Sequence, residues 1–252
     1  RGFPNAAEDV RQFLVGATVT GVRRRAKVLI IGLDTQYSLV IHLKMTGHLL
    51  VGKWKVEKLK GKEKVIPIEP REAVTDPYNG YIHLIFYLDD GRMLAFSDLR
   101  KFGKVILGTK EQIDNLPELR KLGPEPLDNS FTFSKFKEAL RQAQGKKIKQ
   151  VLMDQEVIAG IGNIYSDEIL WLAKVNPFKP VNKLSQTELR ELWKAMRKVL
   201  QKGLKLRGTS ISDYRDTAGK EGGYDKVRLV YQREGEPCHR CKTKIKRVKI
   251  GG

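Results

Sequence analysis

The chain has 252 residues, enough for one large domain or two smaller ones with separate cores, and two fit its length better. Its 48 Lys and Arg against 29 Asp and Glu leave a net charge of +19 and a pI near 9.9, which favours a polyanionic partner, nucleic acid first. That charge runs through the whole chain instead of gathering on one amphipathic helix, no apolar run approaches a membrane span, and the first residues lack the apolar core of a secretory signal, so no membrane partner is expected. The compartment expected is intracellular and reducing, cytoplasmic and nucleoid-associated, where two cysteines point to metal more than to a disulfide.

The first half carries strand patterns. From Val22, "VRRRAKVLIIGLD" passes a basic cluster into an apolar run, and "YSLVIHLKMTGHLLV" alternates, with Leu39, Ile41, Leu43 and Met45 on one face. "YIHLIFYLDDGRMLAF" joins two apolar runs through Asp89, Asp90 and Gly91, a hairpin signal. Several antiparallel strands of this kind make a sandwich or barrel. Between them, "GKWKVEKLKGKEKVIPIEPREAVTDPYNG" is Lys-rich and bears prolines, as a long exposed and partly disordered excursion does. "LGPEPLDNS", residues 122–130, has the prolines and turn formers of an interdomain linker.

The second half changes to a helical period. Phe133 to Gln144 and Ile164 to Lys174 suit helices. Ser185 and Glu188 form a capping box ahead of Leu189, Leu192, Trp193, Met196, Val199 and Leu200 at helical spacing. Glycines and polar residues from Gly203 to Gly223 indicate a long loop, and the tail from Val227 has the look of a strand leading into a cysteine turn.

In "KKIKQVLMDQEVIAGIGNIYSDEIL", residues 146–170, two helical pieces flank "AGIGN". Gly160 and Gly162 permit a tight turn there and Asn163 is suited to cap the helix that follows. A glycine turn opening a helix presents free N–H groups, and with Lys146, Lys147 and Lys149 nearby it makes a phosphate clamp; an ordinary helix-helix turn with solvated lysines satisfies the same spacing.

Here the sequence resembles the formamidopyrimidine-DNA glycosylase and endonuclease VIII family of base-excision repair enzymes. "LMDQEVIAGIGNIYSDEIL" is similar to its helix-two-turn-helix, "SDLRKFGKV" to its lesion-side loop, "LGPEPL" to its linker and "EPCHRC" to the start of its zinc finger, in the family's order along nearly the whole chain. "IHLKMTG" and "RGTSISDYRD" resemble the formamidopyrimidine branch more than the endonuclease VIII branch. The resemblance implies an α+β fold: an N-terminal antiparallel β-sandwich (1–121), a linker (122–130), a helical helix-two-turn-helix DNA-binding domain with a base-capping loop (131–226) and a partial zinc-finger hairpin (227–252). The implied partner is damaged double-stranded DNA bearing an oxidised purine such as 8-oxoguanine or a formamidopyrimidine, bound by a monomer.

Chemistry on a base within a duplex requires extruding the nucleotide, which leaves a gap to be filled. The resemblance makes Met45, Arg100 and Phe102 the fillers, with Arg100 pairing to the orphaned opposite base. Periodicity by itself puts Met45 in the core, Phe102 is commonly core as well, and Arg100 would pass for a surface charge; only the "DLRKFG" match moves them. Lys27, at the end of "RRRAK", matches a family lysine that approaches the lesion and its phosphate, although such a basic run is ordinarily a solvated strand face. Lys146, Lys147 and Asn163 match phosphate contacts. Thr209, Ser210, Ser212 and Tyr214 match the loop that closes over the extruded base, reading its edge through backbone amides. Arg207 and Gln232 depart from the pattern where glycine is frequent.

Family enzymes begin with a proline whose secondary amine attacks C1′ and forms a Schiff base, followed by a glutamate; a terminal amine suits that role because its pKa of about 7.7–8.0 leaves an unprotonated fraction near neutrality. This sequence opens at "RGFPNAAEDV", where Pro4 is internal, and it carries Cys238 and Cys241, two ligands of the four a structural zinc needs. The expectation is therefore an intact protein acting as glycosylase and abasic-site lyase with one zinc ion, and a 252-residue chain that is an inactive fragment of it. A noncatalytic DNA-binding member of the family and a general nucleic-acid-binding module remain the alternatives.

Overall fold

The computed structural model describes residues 7–59, 62–69, 77–210 and 214–250; Pro4, Ser212 and residues 70–76 of the Lys-rich segment lie outside them. The chain forms two compact units. The first comprises Arg1–Arg23, Val28–Lys110 and Leu206–Asp225, the second Arg24–Lys27, Glu111–Lys205 and Lys226–Gly252.

The first unit opens with α1 (Ala7–Leu14), followed by β1 (Val19–Arg25), β2 (Val28–Leu33), β3 (Tyr37–His42), β4 (Gly47–Leu59), β5 (Lys62–Glu69), β6 (Ile82–Tyr87), β7 (Met93–Asp98) and β8 (Lys104–Thr109). They make two four-stranded sheets, ordered β1-β2-β3-β8 and β5-β4-β7-β6. The registers of β2 with β3, β3 with β8, β4 with β5 and β7, and β6 with β7 are antiparallel. Inward residues of both sheets, Ile31, Leu39, Ile41, Leu49, Phe96, Val105 and Leu107, bury one core, and α1 lays Val10, Phe13 and Leu14 against it. Alternation and hydrophobic burial thus give the sandwich its layers.

Two strand-level expectations need correction. Up to Glu69 the described part of the Lys-rich segment is paired strand and not an irregular excursion: it prolongs β4 and forms β5, in register from Lys53↔Glu69 to Leu59↔Lys62. "KWK" alternates within it, so Trp54 is buried and donates its indole N–H to Asn79 Oδ1 at 3.0 Å, while the outward Lys53 pairs across the ladder with Glu69 at 2.7 Å. The second correction concerns Met45, which does not continue the strand face of Leu39 and Ile41. The strand breaks after His42, Lys44 takes a left-handed φ of 56°, and the chain turns through residues 43–46 before β4.

In the second unit, α2 (Lys110–Asp114) and α3 (Pro117–Arg120) precede α4 (Phe133–Arg141), α5 (Ile148–Met153), α6 (Asn163–Ala173) and α7 (Gln186–Lys205). The capping box forms as expected: Glu188 N–H donates to Ser185 Oγ at 3.1 Å and Ser185 N–H to Glu188 Oε2 at 2.7 Å. The buried stripe of α7 is Leu192, Ala195, Met196, Val199 and Gly203. Gly203 does not end this helix, which runs on to Lys205. A Cβ there would lie 2.7 Å from the Tyr165 hydroxyl, so glycine is what lets α7 cross α6 closely. The tail beyond Val227 is not a strand. The buried Glu168 carboxylate accepts from the amides of Leu229, Val230 and Tyr231, at 2.8–3.1 Å, and so occupies donors that a ladder would need.

Candidate nucleic-acid interface

Within the first unit, the β3–β4 turn and the β7–β8 loop are brought side by side by register, since Gly47 opposes Asp98 and His42 opposes Lys104. Asp98 organises both. Its Oδ1 accepts from the Thr46 hydroxyl and from Arg100 N–H at 3.2 Å, its Oδ2 from Gly103 N–H at 2.6 Å, and its carbonyl bonds His83 Nε2 at 2.8 Å. Burial works to raise this carboxyl, but the Thr46 hydroxyl and the amides of Gly103, Arg100 and Phe102 outweigh it and hold the pKa below the usual range. A Cβ on Gly103 would meet Phe96 at 2.6 Å and Asp98 at 3.0 Å, and one on Gly47 would meet the Leu43 carbonyl at 2.4 Å, so both glycines are close approaches of backbone to neighbours.

On this frame sit three exposed side chains, two of them set against the third. Met45 is 67% exposed and Phe102 54%, standing in water as a gap-filling role requires and not buried as periodicity by itself suggested. Arg100 spans them, its Nη1 at 3.3 Å from Met45 Sδ and its guanidinium 4.8 Å from the Phe102 ring centroid. Leaving two large apolar groups in water around a cation is costly unless something covers them. Asp98, which holds the frame, was not singled out from the sequence; its place two residues before Arg100 in "SDLRKFG" was the available signal.

The loop of residues 206–225 belongs to the same unit. It is tied to β4 where Val51 N–H donates to the Thr217 carbonyl at 2.6 Å, and it is closed by a bridge between Thr209 and Gly223. Ser210 Oγ donates to the Tyr214 carbonyl at 2.5 Å and accepts from Gly222 N–H at 2.7 Å, and Tyr214 is 38% exposed. Arg207 and Gly208 have φ of 57° and 84°, left-handed torsions that suit glycine more than arginine.

In the second unit, the turn from α5 to α6 is bracketed by the Gln155 carboxamide. Its Nε2 donates to the carbonyls of Met153 (2.8 Å) and Ile161 (2.7 Å), and its Oε1 accepts from Gly160 N–H (2.8 Å). Gly160 is left-handed at φ 89°. Asn163 does not cap α6: Gly162 is the cap residue and Asn163 the first helical one, exposed, with its side chain directed to no hydrogen-bond partner among the described residues. The amides of Asn163 and Ile164 then have no intrahelical acceptor and suit an anion. Of the three lysines, Lys146 is exposed beside Asp154 at 3.5 Å and Lys147 lies over the Phe178 ring at 5.1 Å. Lys149 leaves the clamp, because it is drawn into an ion pair with Asp167 at 2.6 Å with little of its side chain exposed.

Lys27 reaches the same turn, its Nζ donating to the Ile161 carbonyl at 3.2 Å, and the absent side chain of Gly162 leaves it room. Loss of solvent around the ammonium lowers its pKa. The preceding residues are fixed by Glu125, which accepts from Ala26 N–H (2.5 Å), Arg24 (3.0 Å) and Arg25 (3.1 Å). Glu125 and Gln155 were both missed as organisers in the sequence, since their partners are distant in the chain.

The tail closes as a hairpin. Pro237 bridges Lys244, and Cys238 N–H donates to the Thr243 carbonyl. The amides of Cys241 and Arg240 and the Trp171 indole N–H, 3.4 Å from the sulfur, lower the Cys238 pKa to about 6, the thiolate character a zinc ligand needs. Cys238 is buried and Cys241 exposed. These two fit one edge of a zinc site, but among the described residues no group of three His, Cys, Asp or Glu gathers to hold a metal.

The formamidopyrimidine-DNA glycosylase N-terminal domain matches residues 2–105 and the formamidopyrimidine-DNA glycosylase H2TH domain residues 122–215. The formamidopyrimidine-DNA glycosylase of Moorella thermoacetica is 40% identical over 242 residues, 96% of this chain and 81% of its own length. This chain belongs to the formamidopyrimidine-DNA glycosylase family. Among solved structures, the Lactococcus lactis Fpg in complex with abasic-site DNA is similar with a TM-score of 0.79 at 34% identity, covering 97% of this chain and 82% of that one. The Fpg (MutM) protein of Thermus thermophilus is similar with a TM-score of 0.80 at 34% identity, covering 99% and 83%. These glycosylases align along nearly the whole of this chain, which covers 81–83% of their own length. No helix among the described residues is long and apolar enough to cross a membrane.

Proposed function

We propose that the protein acts in base-excision repair as a glycosylase and abasic-site lyase on oxidised purines in duplex DNA, working as an intracellular monomer. Its family membership supports the reaction class, and a relative of the same family is bound to DNA holding a formamidopyrimidine lesion. The observation that carries the reading on this chain is the exposed Met45–Arg100–Phe102 cluster, held rigid by Asp98. Met45 and Phe102 take the place of the extruded nucleotide in the stack, so their exposed apolar area is covered only in the complex. Arg100, with several guanidinium donors in a plane, meets the hydrogen-bond acceptors of the orphaned base.

Phosphates of the damaged strand are met by Lys146, Lys147, Asn163 and the open amides at the start of α6. Lys27 approaches the lesion phosphate, and its lowered pKa leaves more neutral amine than an ordinary lysine has. Thr209, Ser210, Ser212 and Tyr214 cover the extruded base. An amine attacks C1′ and displaces the damaged base, and strand scission follows by β- and δ-elimination from the resulting Schiff base. Zinc, where two further ligands complete the set begun by Cys238 and Cys241, would stiffen the terminal hairpin and takes no chemical part.

The test is competition binding of the chain to duplex DNA carrying 8-oxoguanine and to the undamaged duplex. The lesion duplex should bind more tightly, and Met45→Ala with Phe102→Ala should erase most of that difference while leaving undamaged binding near its original value. Equal affinity of the unaltered chain for both duplexes would instead favour a general nucleic-acid-binding module.

A further inference from the structure

We propose that the face formed by α4 and α7, centred on Phe133 and Trp193, docks an acidic peptide segment of another protein that carries an aromatic or large aliphatic side chain. The two half-buried rings rest on a small aromatic core, Trp193 lying 5.5 Å from Phe131 and 5.4 Å from Phe136 by centroid, with Phe133 at 6.4 Å. Three cations converge on them. Lys137 and Arg190 each stand 5.2 Å from the Phe133 centroid, and Arg197 stands 5.4 Å from that of Trp193. Spacing explains the convergence: Lys137 follows Phe133 by four residues on α4, and Arg190 and Arg197 flank Trp193 at three and four residues on α7.

Charge complementarity identifies the occupant. The carboxylates of these two helices are each engaged by another cation, Glu138 with Arg141, Glu191 with Lys194 and Glu188 with Lys179. Arg197 is anchored to the Pro126 carbonyl at 3.2 Å, while Lys137 and Arg190 meet no carboxylate among the described residues. A duplex backbone would use the cations and gain nothing from the rings. An acidic segment with an apolar side chain uses both, matching the Arg and aromatic enrichment of protein interfaces. Stacking on the rings also holds the cations in place before binding, which lowers the ordering cost of association.

Fluorescence anisotropy of the full chain with a labelled peptide of aspartates bearing a central phenylalanine tests this. Saturable binding is expected, lost when the phenylalanine is replaced by aspartate or the aspartates by serine, and weakened on the order of tenfold in the Lys137→Gln, Arg190→Gln double variant. That variant should keep the thermal midpoint and the duplex DNA affinity of the parent. Lys198→Gln, on the same helix but not at the rings, should bind the peptide normally. Unchanged peptide affinity in the double variant overturns the proposal. So does equal binding of the phenylalanine-free peptide, and a double variant that loses duplex affinity instead of peptide affinity makes this face a nucleic-acid contact.

Discussion

Arg207 and Gln232 occupy left-handed backbone, with φ of 57° and 52°, without glycine's freedom to be there. Both were recognisable as departures from the family pattern, and the torsions supply the reason. Such a residue carries about 1–2 kcal/mol of steric strain, partly offset by the greater chain entropy glycine loses on folding. Arg207→Gly and Gln232→Gly are therefore each expected to raise stability by about 0.5–1 kcal/mol in urea unfolding. Asp98 behaves in the opposite sense. Asp98→Asn removes an ionised acceptor from several donors and should cost about 1.5–3 kcal/mol at neutral pH. Because its folded pKa is lowered, this contribution is complete above the unfolded value of about 3.9 and is lost as pH falls through the folded one. The stability gap between variant and parent should accordingly be constant near neutrality and close in acid below about pH 4.

Elements with a local cause were legible. The capping box, the stripe of α7 and the β6–β7 hairpin follow from side chains a few residues apart, and they form where their spacing puts them. Ser185→Ala should cost about 1 kcal/mol by removing the acceptor for Glu188 N–H. Elements with a distant cause were not legible. Gly203 reads as a helix terminator until Tyr165 is seen against it, and the residues after Val227 read as a strand until Glu168 takes their amides. Gly203→Ala tests the first of these. Placing a methyl 2.7 Å from the Tyr165 hydroxyl should destabilise by about 1–3 kcal/mol, whereas a mere helix-interior glycine would gain stability from alanine; thermal unfolding separates the two.

At the scale of the whole molecule, the net charge of +19 makes the proposed DNA binding an ion-release equilibrium. Affinity should fall steeply and log-linearly with salt, and Lys146→Gln with Lys147→Gln should flatten the slope by roughly 0.9 for each phosphate contact removed. The effect should be the same on damaged and undamaged duplex, unlike that of Met45→Ala, which under the proposed function acts on lesion discrimination.

Periodicity and motif order were sufficient for the α+β class and the family, because both depend on residues near one another in the chain. Tertiary structure alone decided which side chains stand in water. Periodicity by itself puts the apolar Met45 and Phe102 in the core and only the motif match moves them out; the register that sets Gly47 against Asp98 ends one strand, turns another, and projects both side chains outward beside Arg100. The same holds for Lys149, whose charge looked available for phosphate until the fold set Asp167 against it. Burial and pairing are properties of neighbours in space, and those neighbours are chosen only when the chain has folded.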